Sequence, residues 1–327
     1  MNRRAFLSGA AALLAAPLAA EAQPASKTYR IGVLWHADNR EGEGLMFDAL
    51  ITGLRERGYV EGRNITLEHR FAGEVPERFR RLAAELVALK RDVLVGVSPP
   101  SAVALKDTGT SIPIVFTAVG DAVVAGLVPS VARPGENITG FTILTPQLTG
   151  KRLEMLLEIL PGTKRVGVLY NPDNPLSSRI LREVASATQT FGLASELAQG
   201  RTAGEIDRAF AQFSRNRIKA VLTAGDPLLW FERHRIARLA LRAGIAETQA
   251  FADGADAGPP FSYGASLPEV VRQSCDYVVR ILLGARPRDL PVMEPSRFEL
   301  VINLKTAKAL GLTIPPAVLV RADRVIE

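Results

Sequence analysis

Residues 30–39 read RIGVLWHADN and residues 165–174 read RVGVLYNPDN. Gly32 matches Gly167, Trp35 matches Tyr170, Asp38 matches Asp173 and Asn39 matches Asn174, always 135 positions apart. Each copy is an apolar run without alternation, as in a strand covered on both faces, and leads through polar residues into a helical stretch. The first helix, Phe47–Arg57, is stopped by Gly58, and the second, Ser178–Thr190, by Gly192. One strand–helix unit has therefore been used twice.

The register continues outward from these two segments. In the first half a strand at Ile65–Arg70, a helix at Pro76–Leu89 and strands at Asp92–Val97 and Ile112–Thr117 follow; in the second half come a helix at Glu205–Arg215 and strands at Ala220–Ala224 and Ile245–Phe251. Alternating strands and helices with short connections imply right-handed crossovers and parallel sheets. The expected fold class is α/β, with two Rossmann-like lobes. Asn137–Thr145 is the first expected crossing between them, and Ser262-Tyr263-Gly264 reads as a turn before a helix at Pro268–Leu283. A last strand, Phe298–Ile302, and a helix, Leu304–Leu310, precede Gly311 and the stop at Pro315-Pro316, so the tail is expected to recross the hinge. Two similar sheets facing each other across several crossings make a cleft that can close on a ligand.

With 327 residues, 47% hydrophobic and 23% charged, the chain has a globular profile, which excludes disordered and polytopic membrane classes. Cys275 is the only cysteine, so no disulfide, zinc knuckle or CxxC centre forms within one chain. The excess of 40 Lys and Arg over 34 Asp and Glu is scattered and does not point to nucleic acid. Arg3 and Arg4, the uncharged run Ala10–Ala20 and the Ala20-Glu21-Ala22 site read as a cleaved signal peptide at residues 1–22. Asn2-Arg3-Arg4-Ala5-Phe6-Leu7 is similar to a twin-arginine export motif, with Asn2 and Ser8 departing from it. The expected location is periplasmic, with the protein peripheral to the membrane.

Enzymatic motifs occur only in damaged form. Gly42-Glu43-Gly44-Leu45-Met46-Phe47 starts like a dinucleotide loop but ends in a bulky Phe. Gly150-Lys151 lacks the earlier glycine and the following Ser or Thr of a phosphate loop. Gly96-Val97-Ser98-Pro99-Pro100 has proline where a nucleophile elbow needs glycine. His36, His69 and His234 lack metal-ligand spacing. The expectation is no catalytic residue, no metal and no cofactor.

Polar and aromatic residues do recur at the C-terminal ends of the strands, where open α/β sheets bind ligands. In the first lobe these are Trp35, His36, Ser98, Pro100, Ser101, Thr117 and Asp121; in the second they are Tyr170, Asn171, Asn174, Ser177 and Asp226, with Tyr263 beyond the last repeat. A small zwitterion needs hydroxyl, amide or helix N-terminal donors for its carboxylate. It also needs a fixed carboxylate for its ammonium, here Asp226 or Asp121. Trp35 and Tyr170 are placed to sandwich an apolar side chain. The alternatives are that Ser101, Ser177 and Asp226 only cap helices and that the two aromatics pack beside the hinge. On the ligand reading, Asp226→Ala abolishes binding with little change in the melting temperature of the empty protein.

The blocks FTAVGDAVVAGLVPSVARPGENITGFT (116–142), RVGVLYNPDNP (165–175), SYGASLPEVVRQ (262–273) and FELVINLKTAKALGLTIPP (298–316) resemble the substrate-binding proteins of tryptophan/tyrosine-type ABC uptake systems. These belong to the type I periplasmic-binding-protein superfamily. The resemblance implies two lobes joined by a three-crossing hinge: residues 29–143 plus about 265–290, and 144–264 plus about 291–327. It further implies a monomer that holds a small solute, an amino acid by resemblance, and hands it to a membrane permease with a cytoplasmic ATPase. Pro100, Thr117, Asp121, Asn171 and Asp226 match family positions at the cleft, whereas Pro99 and Pro259-Pro260 depart from the pattern. A binding protein feeding a sensor kinase fits the same residues. A regulator would need a DNA-binding unit before Tyr29, and a double-Rossmann enzyme of the racemase kind would need two opposed cysteines.

Overall fold

A computed structural model describes residues 27–135, 137–143 and 145–327, so the signal segment 1–22 lies outside the described residues. The first half builds β1 (Tyr29–Trp35), α1 (Arg40–Glu43), α2 (Leu45–Glu56), β2 (Ile65–Phe71), α3 (Pro76–Ala88), β3 (Val93–Val97), α4 (Pro99–Asp107), β4 (Ile114–Val119) and β5 (Ile138–Thr142). These strands form one parallel sheet in the order β2-β1-β3-β4-β5. β1, β3 and β4 run through buried positions because helices cover both faces.

The second half builds α5 (Thr149–Ile159), β6 (Arg165–Tyr170), α6 (Ser177–Thr190), β7 (Ala194–Gln199), α7 (Ala203–Arg215), β8 (Ala220–Thr223), α8 (Pro227–Phe231), α9 (Arg233–Ala243), β9 (Ala246–Gln249) and β10 (Phe261–Gly264). Next come α10 (Leu267–Leu282), β11 (Glu299–Asn303), α11 (Leu304–Ala309), α12 (Pro316–Leu319) and β12 (Arg324–Ile326). The second sheet has the order β12-β11-β10-β9-β8-β6-β7 and is parallel except where β10 meets β11. The architecture is α/β with two parallel-sheet lobes.

The chain changes lobe more than once. α10 leaves the second sheet and packs along α2, sealing the first core with Val271, Cys275 and Val278. Gly53 permits this contact, since a Cβ there would lie 2.8 Å from the Arg272 carbonyl oxygen and from Cys275 Sγ. The segment after α10 then pairs with β5, where Met293 N–H donates to Gly140 and Thr142 N–H donates to Met293, before β11 rejoins the second sheet.

Three expectations need correction. Ile138–Thr142 is the fifth strand of the first sheet, so the crossing starts only after Thr142. Ser262-Tyr263-Gly264 belongs to β10 rather than a turn: Ser262 and Tyr263 pair with Val301 and Leu300, and Ser262 Oγ donates to the Ala252 carbonyl. Pro316 starts a short helix instead of stopping one, as proline's fixed φ allows at a first helical position. Residues 194–199 also form a strand that the apolar pattern does not reveal, because it is a largely exposed edge.

Candidate functional site

A cavity lies between the two sets of strand ends. The first lobe contributes His36, Met46, Ser98, Pro99, Ala118 and Gly120; the second contributes Asn174, Leu176, Gly225, Asp226, Pro227 and Trp230. Ile143, Thr145 and Phe251 come from the connecting segments, and Leu267 from the start of α10. Much of this wall is apolar, so a ligand held here gives up water over most of its surface. Two non-glycine residues of the wall, Ser98 and Ala118, have φ of 85° and 57°. Such backbone strain persists where the surroundings over-determine it and is common at ligand sites. At Gly120 the lobes pack tightly, since a Cβ there would lie 2.3 Å from Leu176 Cδ1 of the other lobe.

Asp226 is 3% exposed and caps α8, its Oδ1 accepting from Leu229 N–H at 2.9 Å. Its Oδ2 accepts from the side-chain amides of Asn174 at 2.8 Å and Asn171 at 3.2 Å. The amides are oriented by their own oxygens, which accept from the N–H groups of Leu176 and Asp173. Burial raises the Asp226 pKa to about 6; the three donors oppose that rise, and Glu74 of the facing lobe adds to it.

On the facing wall His36 is equally buried, between two glutamates. Its Nδ1 lies 2.6 Å from Glu74 Oε1 and its Nε2 lies 3.4 Å from Glu43 Oε2. Glu43 is fixed by Ala37 N–H, which donates to its Oε1. Burial alone would lower the His36 pKa, but the two carboxylates outweigh it and bring it to about 9, so the ring is an imidazolium at neutral pH. Trp230 reaches from the second lobe into the first core, edge-on to Phe251 at 5.4 Å, with the Arg233 guanidinium 4.4 Å from its ring centre. Trp230 Nε1 and Thr145 Oγ1 are buried without a hydrogen-bond partner on a cavity that both residues line. Orphaned polar atoms of this kind are what a ligand would satisfy.

The model of the ABC transporter substrate binding protein family matches residues 41–326. The chain belongs to that family. This substrate-binding protein is 26% identical over 266 residues to a tyrosine-binding protein of Clostridioides difficile, covering 80% of this chain and 75% of that one. It is similar to a crystal structure of a conserved domain protein from Vibrio cholerae, with 30% identity, a TM-score of 0.85, and 91% of this chain and all of that one covered. It also shares its fold with an ABC domain from Streptococcus pneumoniae crystallised with L-Trp, at 24% identity and a TM-score of 0.83, covering 92% of this chain and 100% of that one. The fold is that of the type I periplasmic binding proteins.

Of the candidates read from sequence, His36, Ser98, Asn174 and Asp226 line the cavity of this substrate-binding protein. The others sit elsewhere. Trp35 is fully buried in the first core, stacked on Phe47 at 5.4 Å, with its Nε1 donating to His69, so it does not sandwich a ligand. Ser101 lies beneath Ser98, and Thr117 is fully buried. Pro100 sits one position behind the lining Pro99. Asn171 holds Asp226, and Ser177 Oγ donates to the Asn171 carbonyl. Tyr170 packs on the second core near Gln199, and Tyr263 lies against Phe298. Asp121 accepts from the Arg179 guanidinium of the other lobe, forming an ion pair that spans the lobes. Sequence reading missed Trp230, Thr145 and Met46, which carry only the signature of core or loop, and Glu43 and Glu74, whose role depends on where His36 lies.

Proposed function

We propose that this chain is the exported binding component of an ABC uptake system and captures an amino acid with an apolar or aromatic side chain in the interlobe cleft. The observation that carries this reading is Asp226, a buried carboxylate at the end of an otherwise largely apolar cavity, with its amide and backbone donors already arranged. It offers an ammonium group a fixed counter-charge out of water. The tyrosine-binding relative and the L-Trp complex support the choice of ligand class.

In this reading lobe 1 is residues 29–143 with about 265–290, lobe 2 is 144–264 with about 291–327, and the crossings between them act as a hinge. The signal at residues 1–22, through the twin-arginine route, delivers a monomer to the periplasm, peripheral to the membrane. There it serves a permease and its cytoplasmic ATPase, with no catalysis, cofactor, metal or nucleic acid. Among the described residues no helix is long and apolar enough to cross a membrane, and no cluster of His, Cys, Asp and Glu could hold a metal ion.

The test is thermal unfolding of the protein, stripped of carried-over ligand, against a panel of amino acids and short carboxylic acids. A ligand at 100 times its dissociation constant adds about 2.7 kcal/mol, a shift of several degrees. A shift confined to amino acids supports the reading, and a panel without any shift sinks it.

A further inference from the structure

An amino-acid cleft has two charges to read, and this cavity is built unequally for them. At the ammonium end stands Asp226, with Glu74 of the facing lobe close enough to act on its titration. For a carboxylate there is no cation to spare. Among the described lining residues none is Lys or Arg, and the one base, His36, has its two ring nitrogens turned to Glu74 and Glu43. The nearby Arg233 also feels Glu43, and it is held over the Trp230 ring with its Nη1 donating to the Trp230 carbonyl.

The usual substitute for a cation is the first turn of a helix, whose free N–H groups face an anion. Two of the helices whose first turns reach the cavity, α4 and α8, begin with proline, which has no N–H. α4 opens Pro99-Pro100, so its first donor is Ser101, and α8 opens with Pro227. The Leu229 N–H of α8 is already given to Asp226 and the Ala102 N–H of α4 to the Ser98 carbonyl, which leaves one first-turn N–H on each helix, Leu228 and Ser101. The other polar groups of the lining residues are neutral: Thr145 Oγ1 and Trp230 Nε1, both buried without a partner, and the Ser98 hydroxyl, 3.4 Å from that of Ser101.

We propose that the cleft recognises its ligand as an apolar cation: the ammonium and the apolar body carry the affinity, and the carboxylate is a minor contact. Amino-acid amides and the corresponding primary amines are then ligands as well. This rests on the proposed function, in which Asp226 receives an amine.

The test is calorimetric titration of the wild-type protein with three matched series, built on tryptophan, tyrosine and leucine. Each series holds the free amino acid, its amide, the amine without carboxylate, the N-acetyl acid and the acid without amine. In the series that binds, the amide and the amine are expected within about tenfold of the amino acid, the cost of one neutral hydrogen bond. The N-acetyl acid and the amine-free acid are expected to lose a hundredfold or more. A hundredfold loss for the amine or the amide, with the free amino acid bound, overturns the inference and leaves the proposed function standing. Binding by the amine-free acid as tight as by the amino acid overturns it too. Absence of binding by all members of all three series overturns both.

Discussion

At the end of β1 the chain turns Trp35 and His36 inward, and at the matching end of β6 it leaves Tyr170 half-buried and spends Asn171 on holding Asp226. The first wall is complete in itself: the Trp35 indole has its acceptor in His69, and the His36 charge has its carboxylates in Glu43 and Glu74. The second wall presents a carboxylate whose pKa has been driven upward by burial. A duplicated strand–helix unit has thus diverged into one wall that offers shape and one that offers charge. On the proposed reading the ligand's ammonium meets Asp226 on the second lobe, and the first lobe covers its apolar body.

Breaking the charged wall should have the largest effect. Asp226→Ala is expected to weaken amino-acid affinity by about a hundredfold, the scale of a buried charged hydrogen bond, as read by calorimetry. Its removal also takes the α8 cap and the acceptor of two amides, so the empty protein should melt a few degrees lower, for a cap worth about 1 kcal/mol. The expectation drawn from sequence is little change in that melting temperature; the cap and the two amide bonds argue for the lower one. An unchanged affinity would remove Asp226 from the site and the asymmetry with it.

Gly120→Val is expected to prop the lobes apart against Leu176 and reduce affinity about tenfold or more, with the empty protein's melting temperature within a degree or two of wild type. An equal loss of stability would show that Gly120 serves lobe 1 itself rather than closure. Small-angle scattering with and without ligand would separate the two cases.

The two walls also titrate differently. The pKa of Asp226 is raised from 3.8 to about 6, so binding of an ammonium should fall about tenfold per unit well below that pH. Glu74 across the cleft and the amides of Asn171 and Asn174 face this carboxylate, and His36, with its pKa at about 9, stays charged through the whole window. For stability the sign at His36 is opposite. Its folded pKa is raised from 6.5 to about 9, so its contribution is full below 6.5 and is lost as pH rises through 9. Between pH 7 and 9.5 the melting temperature of His36→Gln should therefore fall less than that of wild type. Glu247, buried and raised to about 8, adds a decline common to both proteins.

The smallest effect belongs to the ion pair that spans the lobes. Both Asp121 and Arg179 are partly exposed, and Asp121 also accepts from the N–H groups of Val123 and Val124. Asp121→Asn should weaken binding by about two- to fivefold at low salt and by less as salt rises. A hundredfold loss would place Asp121 on the ligand.

The buried strands were legible because helices on both faces demand continuous apolar runs, as in Val93–Val97 and Ile114–Val119. β7 escaped because an exposed edge strand needs no such run, and β10 because Ser-Tyr-Gly is locally a turn signal that its pairing with β11 overrides. Within the site, Asp226 and Asn174 were readable from their place after a strand. Trp35 was misread for the same reason: its strand-end position was visible, but the direction of its ring, set by contact with Phe47 and Phe71, was not. Trp230 sits in the run Pro227–Phe231, which looks like core and becomes a cavity wall only when two distant lobes meet.

The return of the chain to lobe 1 through α10, and then to lobe 2 through β11, has a consequence for how the molecule is made. Synthesis from the N-terminus leaves the α2 face of the first lobe uncovered until residue 282 has been added, and leaves the second sheet without β11 until residue 303. Each lobe thus lacks part of its core or sheet until the chain is nearly complete. The two are expected to mature late and almost together, and a truncation that costs only the last fifth of the length removes α10 from one lobe and β11 from the other.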